Sequence, residues 1–401
     1  MKREVRSSSS TGRREFRVTE PIIIRGDIVT PQELIPGGHV VVEDGKIAGI
    51  GAGESDTSGR VLDFQGRLVA PGFVDIHVHG GGGQDVMDAS PEGLDRLSLF
   101  LAAGGVTSFL ATTYTAPHGR ILAAARNVRD TIERGTEGAE VLGVHMEGPY
   151  IDPAWCGAQD RRYIRRPQTK ELEEVHREAG GNLRIVTLAP EVEGALDAIG
   201  WLSARGIVPA AGHTDATYGE AMAGIDAGMR HVSHIFNAMR PLHHREPGVA
   251  GAALWDGRVS VELIADGVHL HPATLGLAAR LKGPGATALI SDAIAPAGLP
   301  EGEYEFGGVK VTVRQGRCLL ESGSLAGSAI RLCEAVGNMV GLAGFSPEAA
   351  VEMASSTPAR IAGAADRKGR LAPGMDADIT VLDREFSVLL TMVGGRVVYE
   401  V

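Results

Sequence analysis

Eight short apolar runs, FVDIHVH, VTSFLATT, VLGVHME, LRIVTLAP, VPAAGHT, HVSHIF, SVELIAD and TALISDA, follow one another between residues 73 and 293, with helical periods between most of them. Continuous apolar runs separated by amphipathic helices are the pattern of a parallel sheet covered on both faces. Eight such units predict a (β/α)8 barrel. The helical segments PEGLDRLSLFLAAG, TKELEEVHREAG, ALDAIGWLSARG and HPATLGLAARLKG each end in glycine, as helix C-termini commonly do.

The flanks read differently. IIIRGDIVTP and HVVVEDGKIAGIGAG near the start, and DADITVLDREFSVLLTMVGGRVVYEV at the end, alternate apolar and polar residues around Gly and Asp turns. These short antiparallel strands are expected to pair into a small β-sandwich module built from both chain ends. The division expected is a module at 21–70 and 366–401 and a catalytic barrel at 71–365. EYEFGGVKVTVRQGRCLLES suggests a β-hairpin insertion near 300–322, after which two helices lead back to the module. Residues 1–20 read as a basic, disordered tail with no apolar stretch of a secretory signal. The uncharged segment from Leu97 to Tyr114 is split by Gly104-Gly105 and diluted by Ser and Thr, so it reads as a buried helix end and strand rather than a membrane span.

A net charge of −11 opposes nonspecific binding to nucleic acid, so any phosphate recognised must meet a local basic pocket. Three scattered cysteines, Cys156, Cys318 and Cys333, do not make a disulfide framework and point to a reducing, cytoplasmic setting. Cys156, in the loop after the third run, reads as an incidental thiol.

Barrel enzymes assemble their sites from residues at the C-terminal ends of strands. Here His77 and His79 close the first run, Glu147 the third, His213 the fifth, His234 the sixth and Asp292 the eighth, with His269 just past the seventh. One strand-end histidine alone is ordinarily a hydrogen-bonded structural residue. Several imidazoles and a carboxylate at one end of one barrel are costly to bury without a partner. Imidazole with carboxylate suits zinc, iron or a similar divalent ion. His77 and His79, at i and i+2, share one face of their strand. Glu147, His213 and His234 form a second set, with Glu147 able to bridge two ions. Asp292 suits a general base that takes a proton from attacking water and passes it to a leaving nitrogen.

The loop HIFNAMRPLHHREPG gathers Asn237, Arg240, His243, His244 and Arg245, a local basic patch in an acidic chain. Arg supplies a rigid donor fork for phosphate, and Asn with backbone N–H groups supplies neutral donors. In the loop after Glu147, Ala158 and Gln159 offer a small residue and an amide for substrate hydroxyls.

With these residues in view, the chain from about Pro21 onward resembles the N-acetylglucosamine-6-phosphate deacetylases of the amidohydrolase superfamily. PGFVDIHVHG, GVHMEGPYI, AGHTDATY, SHIFNAM with REPGVAGA, LIADGVH, ISDAIAPAG and SLAGS stand in that family's order. The resemblance implies that Glu147, His213 and His234 bind the catalytic metal, that His77 and His79 serve a second ion, and that Asp292 is the acid and base. It also implies sugar-phosphate contacts from Ala158, Gln159, Asn237, Ala238, Arg245, His269 and Leu325, Ala326 and Gly327. One or two divalent ions per subunit are expected, zinc first, with iron, manganese, cobalt or cadmium as alternatives. A homodimer in which His269 reaches the neighbouring site is expected too, with neither nucleic acid nor membrane as partner.

Two other readings stand beside this one. An amidohydrolase acting on a cyclic amide or an N-acyl amino acid is disfavoured by the lack of a lysine in LRIVTLAP and by the basic loop at Arg245. A noncatalytic barrel would have no need of so complete a ligand set.

Overall fold

The computed structural model describes residues 20–31 and 33–401. All but the last residue of the expected tail lies outside them.

Eight parallel strands form the barrel: Phe73–Val78, Val106–Thr113, Glu140–Glu147, Leu183–Leu188, Val208–Ala211, His231–Val232, Ser260–Ile264 and Thr287–Ile290. Their spatial order is their chain order, and each of the eight apolar runs contributes one strand. The ladder runs unbroken from first to eighth. The circle is drawn shut just past the strand ends, where Asp292 N donates to His77 O and His79 N to Ala293 O, both at 2.9 Å. Strand six is only two residues long because the chain leaves the ladder at once, with His234, Phe236 and Ala238 all at positive φ.

Helices cover the outside. Pro91–Ala102 is capped by the Ser90 side chain, has proline at its first position, and buries Leu94, Leu97 and Leu101 against the barrel. The uncharged segment 97–114 is the end of this helix followed by the second strand, and no helix among the described residues is long and apolar enough to cross a membrane. Helix Thr169–Glu178 ends at Gly180 and helix Pro272–Lys282 at Gly283, both glycines at positive φ.

Strands from both chain ends build one seven-stranded sheet, ordered Arg396–Glu400, Val388–Val393, Ile379–Leu382, Arg60–Pro71, Ile22–Val29, Leu34–Glu43 and Lys46–Ala52. Bulges bend it. Its far edge returns to the C-terminal segment through Ile47 N to Met375 O and Ala377 N to Gly45 O, enclosing a separate core that includes Ile24, Val40, Ile47, Ile379, Val381 and Met392.

The strand Arg60–Pro71 passes from this module into the barrel through Gly72, where a Cβ would collide with the Thr107 side chain. A partly buried ion cluster fastens the two parts: Lys368 Nζ lies 2.6 Å from both Asp378 and Glu140, and Arg367 reaches Glu140 and Asp376. The insertion after strand eight is a three-stranded meander, Gly302–Phe306, Val309–Arg314 and Arg317–Leu320, rather than a single hairpin. Three helices, not two, then return to the module: Leu332–Gly341, Pro347–Ala354 and Ser356–Ile361. Ser355 separates the last two.

Candidate metal centre and active site

The Glu147 carboxylate, at the end of strand three, is the point on which the barrel converges. His234 Nε2 lies 2.9 Å, His213 Nε2 3.1 Å and His77 Nε2 3.3 Å from its Oε1, and His79 Nε2 lies 3.4 Å from its Oε2. Asp292 Oδ1 stands 3.4 Å from His79 and 3.6 Å from His77. The two ligand sets separated in the sequence therefore share one carboxylate.

The local backbone is bent to make this possible. His213, His234 and Asp292 have φ of 50°, 29° and 49°, a region non-glycine residues rarely occupy and one that costs about 1–3 kcal/mol each. Gly148, directly after Glu147, has φ 70°, and a Cβ there would collide with Thr115 and crowd Gln159.

Each ring is oriented through its other nitrogen. His79 Nδ1 bonds Thr112 O at 3.2 Å, His213 Nδ1 bonds Trp155 O at 2.8 Å, and His234 Nδ1 bonds Asn237 O at 3.2 Å. His77 Nδ1 bonds Glu262 Oε2 at 2.9 Å. A carbonyl only accepts, so Nδ1 carries the proton and each neutral ring turns its Nε2 lone pair toward Glu147. Lone pairs facing an anion need a cation between them. The buried His77 Nε2 has no hydrogen-bond partner, which fits the same conclusion.

Two overlapping triads of buried ligand atoms, His77–His79–Asp292 and His77–Glu147–His234, lie close enough to hold an ion, with His213 beside the second. A third, His77–His145–Glu262, is not a comparable ligand set. Both nitrogens of His145 are occupied, by Ile76 O and Thr187 Oγ1.

Without a metal ion, protons must fill that place, and the charges shift accordingly. Burial opposes ionisation of Glu147, but the charges of His213 and His77 and hydrogen bonds from His213 and His234 bring it well below the usual carboxylate range. Burial likewise opposes charge on His79, yet hydrogen bonds to Asp292 and Glu147 lift it to about 9. Asp292, only 8% exposed, is held below its ordinary value because hydrogen bonding from His79 and the charge of His77 outweigh burial. It stands ionised at neutral pH, ready to accept a proton.

These groups floor a cavity of about 350 Å3 walled by Tyr114, Trp155, Phe306, Ala158, Gln159, Asn237, Ala238, His269 and Leu325 to Gly327. Gln159 is committed to the floor, since its Nε2 donates to Glu147 Oε2 at 2.7 Å while its Oε1 accepts from Thr115 N at 2.8 Å. Phe306 comes from the inserted meander and packs edge-on against Tyr114 and His79.

Two placements bear on the phosphate end. His269 lines the cavity of its own subunit, because Asp266, three residues earlier, holds its Nδ1 at 2.7 Å. Arg245 is exposed and absent from the cavity wall. Arg240 turns back to Asp215 at 2.6 Å, and the loop beyond runs outward, where Arg245 contacts His244. Cys156 is buried against Arg161 at 3.2 Å, outside the cavity wall. Glu262, Tyr114, Trp155 and Phe306 were not singled out from sequence. Only Glu262 left a legible sign, an acidic residue inside an apolar strand.

The amidohydrolase family model matches residues 68–398. The sequence is 40% identical over 377 residues to the N-acetylglucosamine-6-phosphate deacetylase of Bacillus subtilis, covering 93% of this chain and 95% of the relative. The chain belongs to the amidohydrolase family, among its N-acetylglucosamine-6-phosphate deacetylases. This amidohydrolase is also 39% identical over 369 residues to the N-acetylgalactosamine-6-phosphate deacetylase of Escherichia coli O157:H7, covering 92% and 97% of the two chains. Its fold matches, with TM-score 0.90 and 34% identity, a mutant N-acetyl-D-glucosamine-6-phosphate deacetylase from Mycobacterium smegmatis in complex with N-acetyl-D-glucosamine-6-phosphate, covering 94% of this chain and 99% of that one. The family is metal-dependent, in keeping with the ligand clusters of this amidohydrolase.

Proposed function

We propose that this amidohydrolase hydrolyses the acetamido group of N-acetyl-D-glucosamine 6-phosphate to D-glucosamine 6-phosphate and acetate, in amino-sugar catabolism and recycling. The observation that carries the reading is the convergence of His79, His213, His234, Glu147 and Asp292 at the floor of one cavity, with His77 directly beneath, in a chain aligned over nearly its whole length with deacetylases of that name. Glu147, His213 and His234 would hold one divalent ion, and His77 and His79 would hold a second. Zinc is the first candidate, with iron, manganese, cobalt and cadmium as alternatives.

A divalent ion held there would acidify water and polarise the acetamido carbonyl. Asp292 takes the proton released as water attacks and delivers it to the sugar nitrogen when the C–N bond breaks. Tyr114, Trp155 and Phe306 supply apolar wall beside the reacting group and limit the access of other water. Ala158 and the loop from Leu325 to Gly327 border the sugar. Asn237, the backbone of Ala238 and His269 take the phosphate end. Three free, buried cysteines support the cytoplasmic setting.

Charge-assisted hydrogen bonds contribute roughly 1.5–3 kcal/mol each, so two of them give the phosphate about 3–6 kcal/mol, or 10²- to 10⁴-fold in kcat/KM. Kinetics on N-acetylglucosamine 6-phosphate, N-acetylglucosamine and N-acetylgalactosamine 6-phosphate test this. The first should exceed the second by that factor, and His269→Ala should lower the rate on phosphorylated sugar only. Equal rates on the first two sugars sink the sugar-phosphate assignment. Preference for the third moves it to the C4 epimer, on which the Escherichia coli relative's name bears.

Since Arg245 does not reach its own cavity, the phosphate contact implied for it is made across a homodimer interface. Mixed Asp292→Asn and Arg245→Ala chains should then recover activity that neither shows alone, because one hybrid site receives an intact aspartate and an intact arginine. Subunit exchange without recovery rules out the trans contact.

A further inference from the structure

Glu262 is a carboxylate with 0% exposure in strand seven, outside the ligand set and outside the cavity wall. An ion so buried is tolerated only where hydrogen bonds replace its water. Its Oε2 accepts from His77 Nδ1 at 2.9 Å and from His234 N at 3.0 Å, and its Oε1 accepts from His231 Nε2 at 2.9 Å. His231 is oriented in turn by Ser260 Oγ at 2.7 Å.

The four rings around Glu147 are not equivalent in this respect. Backbone carbonyls hold His79, His213 and His234, whereas His77 alone leans on an anion. A carboxylate behind an imidazole fixes its tautomer and makes the far nitrogen a stronger donor. That far nitrogen, His77 Nε2, is the buried atom without a partner, and it belongs to both candidate triads at the cavity floor.

We propose that Glu262 is a positioning residue that acts through His77 to set the affinity for the ion of the first histidine pair, and so whether each subunit carries one ion or two. The inference rests on the reading of His77 and His79 as metal ligands. Glu262→Gln keeps the shape, and its carbonyl oxygen still accepts from His77 and His234. Its amide NH2 faces His231 Nε2, which becomes an acceptor when that ring changes tautomer. Only the charge behind His77 is lost. Glu262→Ala removes the geometry as well, and should it not fold, the Gln variant still carries the test.

The experiment measures zinc stoichiometry by plasma mass spectrometry, affinity by chelator competition, and the visible spectrum of the cobalt-substituted protein. Four proteins are compared: wild type, Glu262→Gln, His77→Ala and the double variant. Wild type should bind two ions. Glu262→Gln should weaken one of them about 10- to 100-fold and alter its cobalt bands, with a smaller effect on the other. Added to His77→Ala, it should do nothing more. Unchanged affinity in Glu262→Gln, or an equal loss in both backgrounds, overturns the proposal. A wild type that binds one ion, with His77→Ala binding it equally well, overturns the ligand reading beneath it. None of these readouts depends on which sugar is hydrolysed.

Discussion

Asp292→Asn should lower turnover about 10²- to 10⁴-fold while metal content and the melting curve stay near those of wild type. The substitution changes neither shape nor the backbone bonds that place the residue, from Asp292 N to His77 O and from Ser328 N to Asp292 O. It removes the negative charge that faces His77 and His79, and with it the capacity to take a proton. The carboxylate is suited to that work because imidazoles at 3.4 and 3.6 Å keep it ionised despite burial. Steady-state kinetics should show the loss in kcat with little change in KM, since the interaction is needed when the proton moves. Near-normal turnover would place the base elsewhere, and Glu147, enclosed by four imidazoles, is not free to serve.

Removing the metal should abolish turnover and expose a pH dependence that the loaded protein lacks. In the chelated protein, protons must sit between the imidazoles and Glu147. His79 then has a folded value of about 9 against an ordinary 6.5. A raised value stabilises fully below 6.5 and is lost as pH climbs through 9. For His79 alone this amounts to about 3 kcal/mol. Glu147 has the opposite sign, because its value is depressed: its contribution is present above 4.5 and is lost as acid protonates it. Chelated protein should therefore be most stable between about 4.5 and 6.5 and weaken steadily toward 9. The loaded protein should change much less over the upper range, because the ion replaces those protons. Urea unfolding of both forms at pH 6 and 9 measures the difference, and identical curves for the chelated protein at both pH values would contradict it.

The barrel was legible because its strands carry their burial in their composition. VTSFLATT is apolar or small throughout, and so is VLGVHME apart from His145 and Glu147; they lie within Val106–Thr113 and Glu140–Glu147. HVSHIF was legible as a unit but not in length, since no residue in it announces the turn at His234. Strand-end polar residues likewise pointed to one rim of the barrel, where the structure gathers them. What the sequence did not reveal is direction. Nothing in REPG distinguishes an arginine facing the cavity from one facing solvent, because the difference is made by Asp215 capturing Arg240 before the loop departs. Glu262 escaped notice for a related reason: a carboxylate within an apolar strand declares that it has partners but not which ones.

The way the barrel shuts has a consequence for synthesis. Strands one to seven can pair successively as the chain lengthens, but the contact that completes the ring ties residue 77 to residue 292. It joins the two ends of the strand series and carries a large closure entropy. Those same few backbone atoms hold the first histidine pair against the aspartate. A nascent chain released from the ribosome before Ala293 is thus a ring left open, with no partly working site to offer. Hydrolysis begins only with closure.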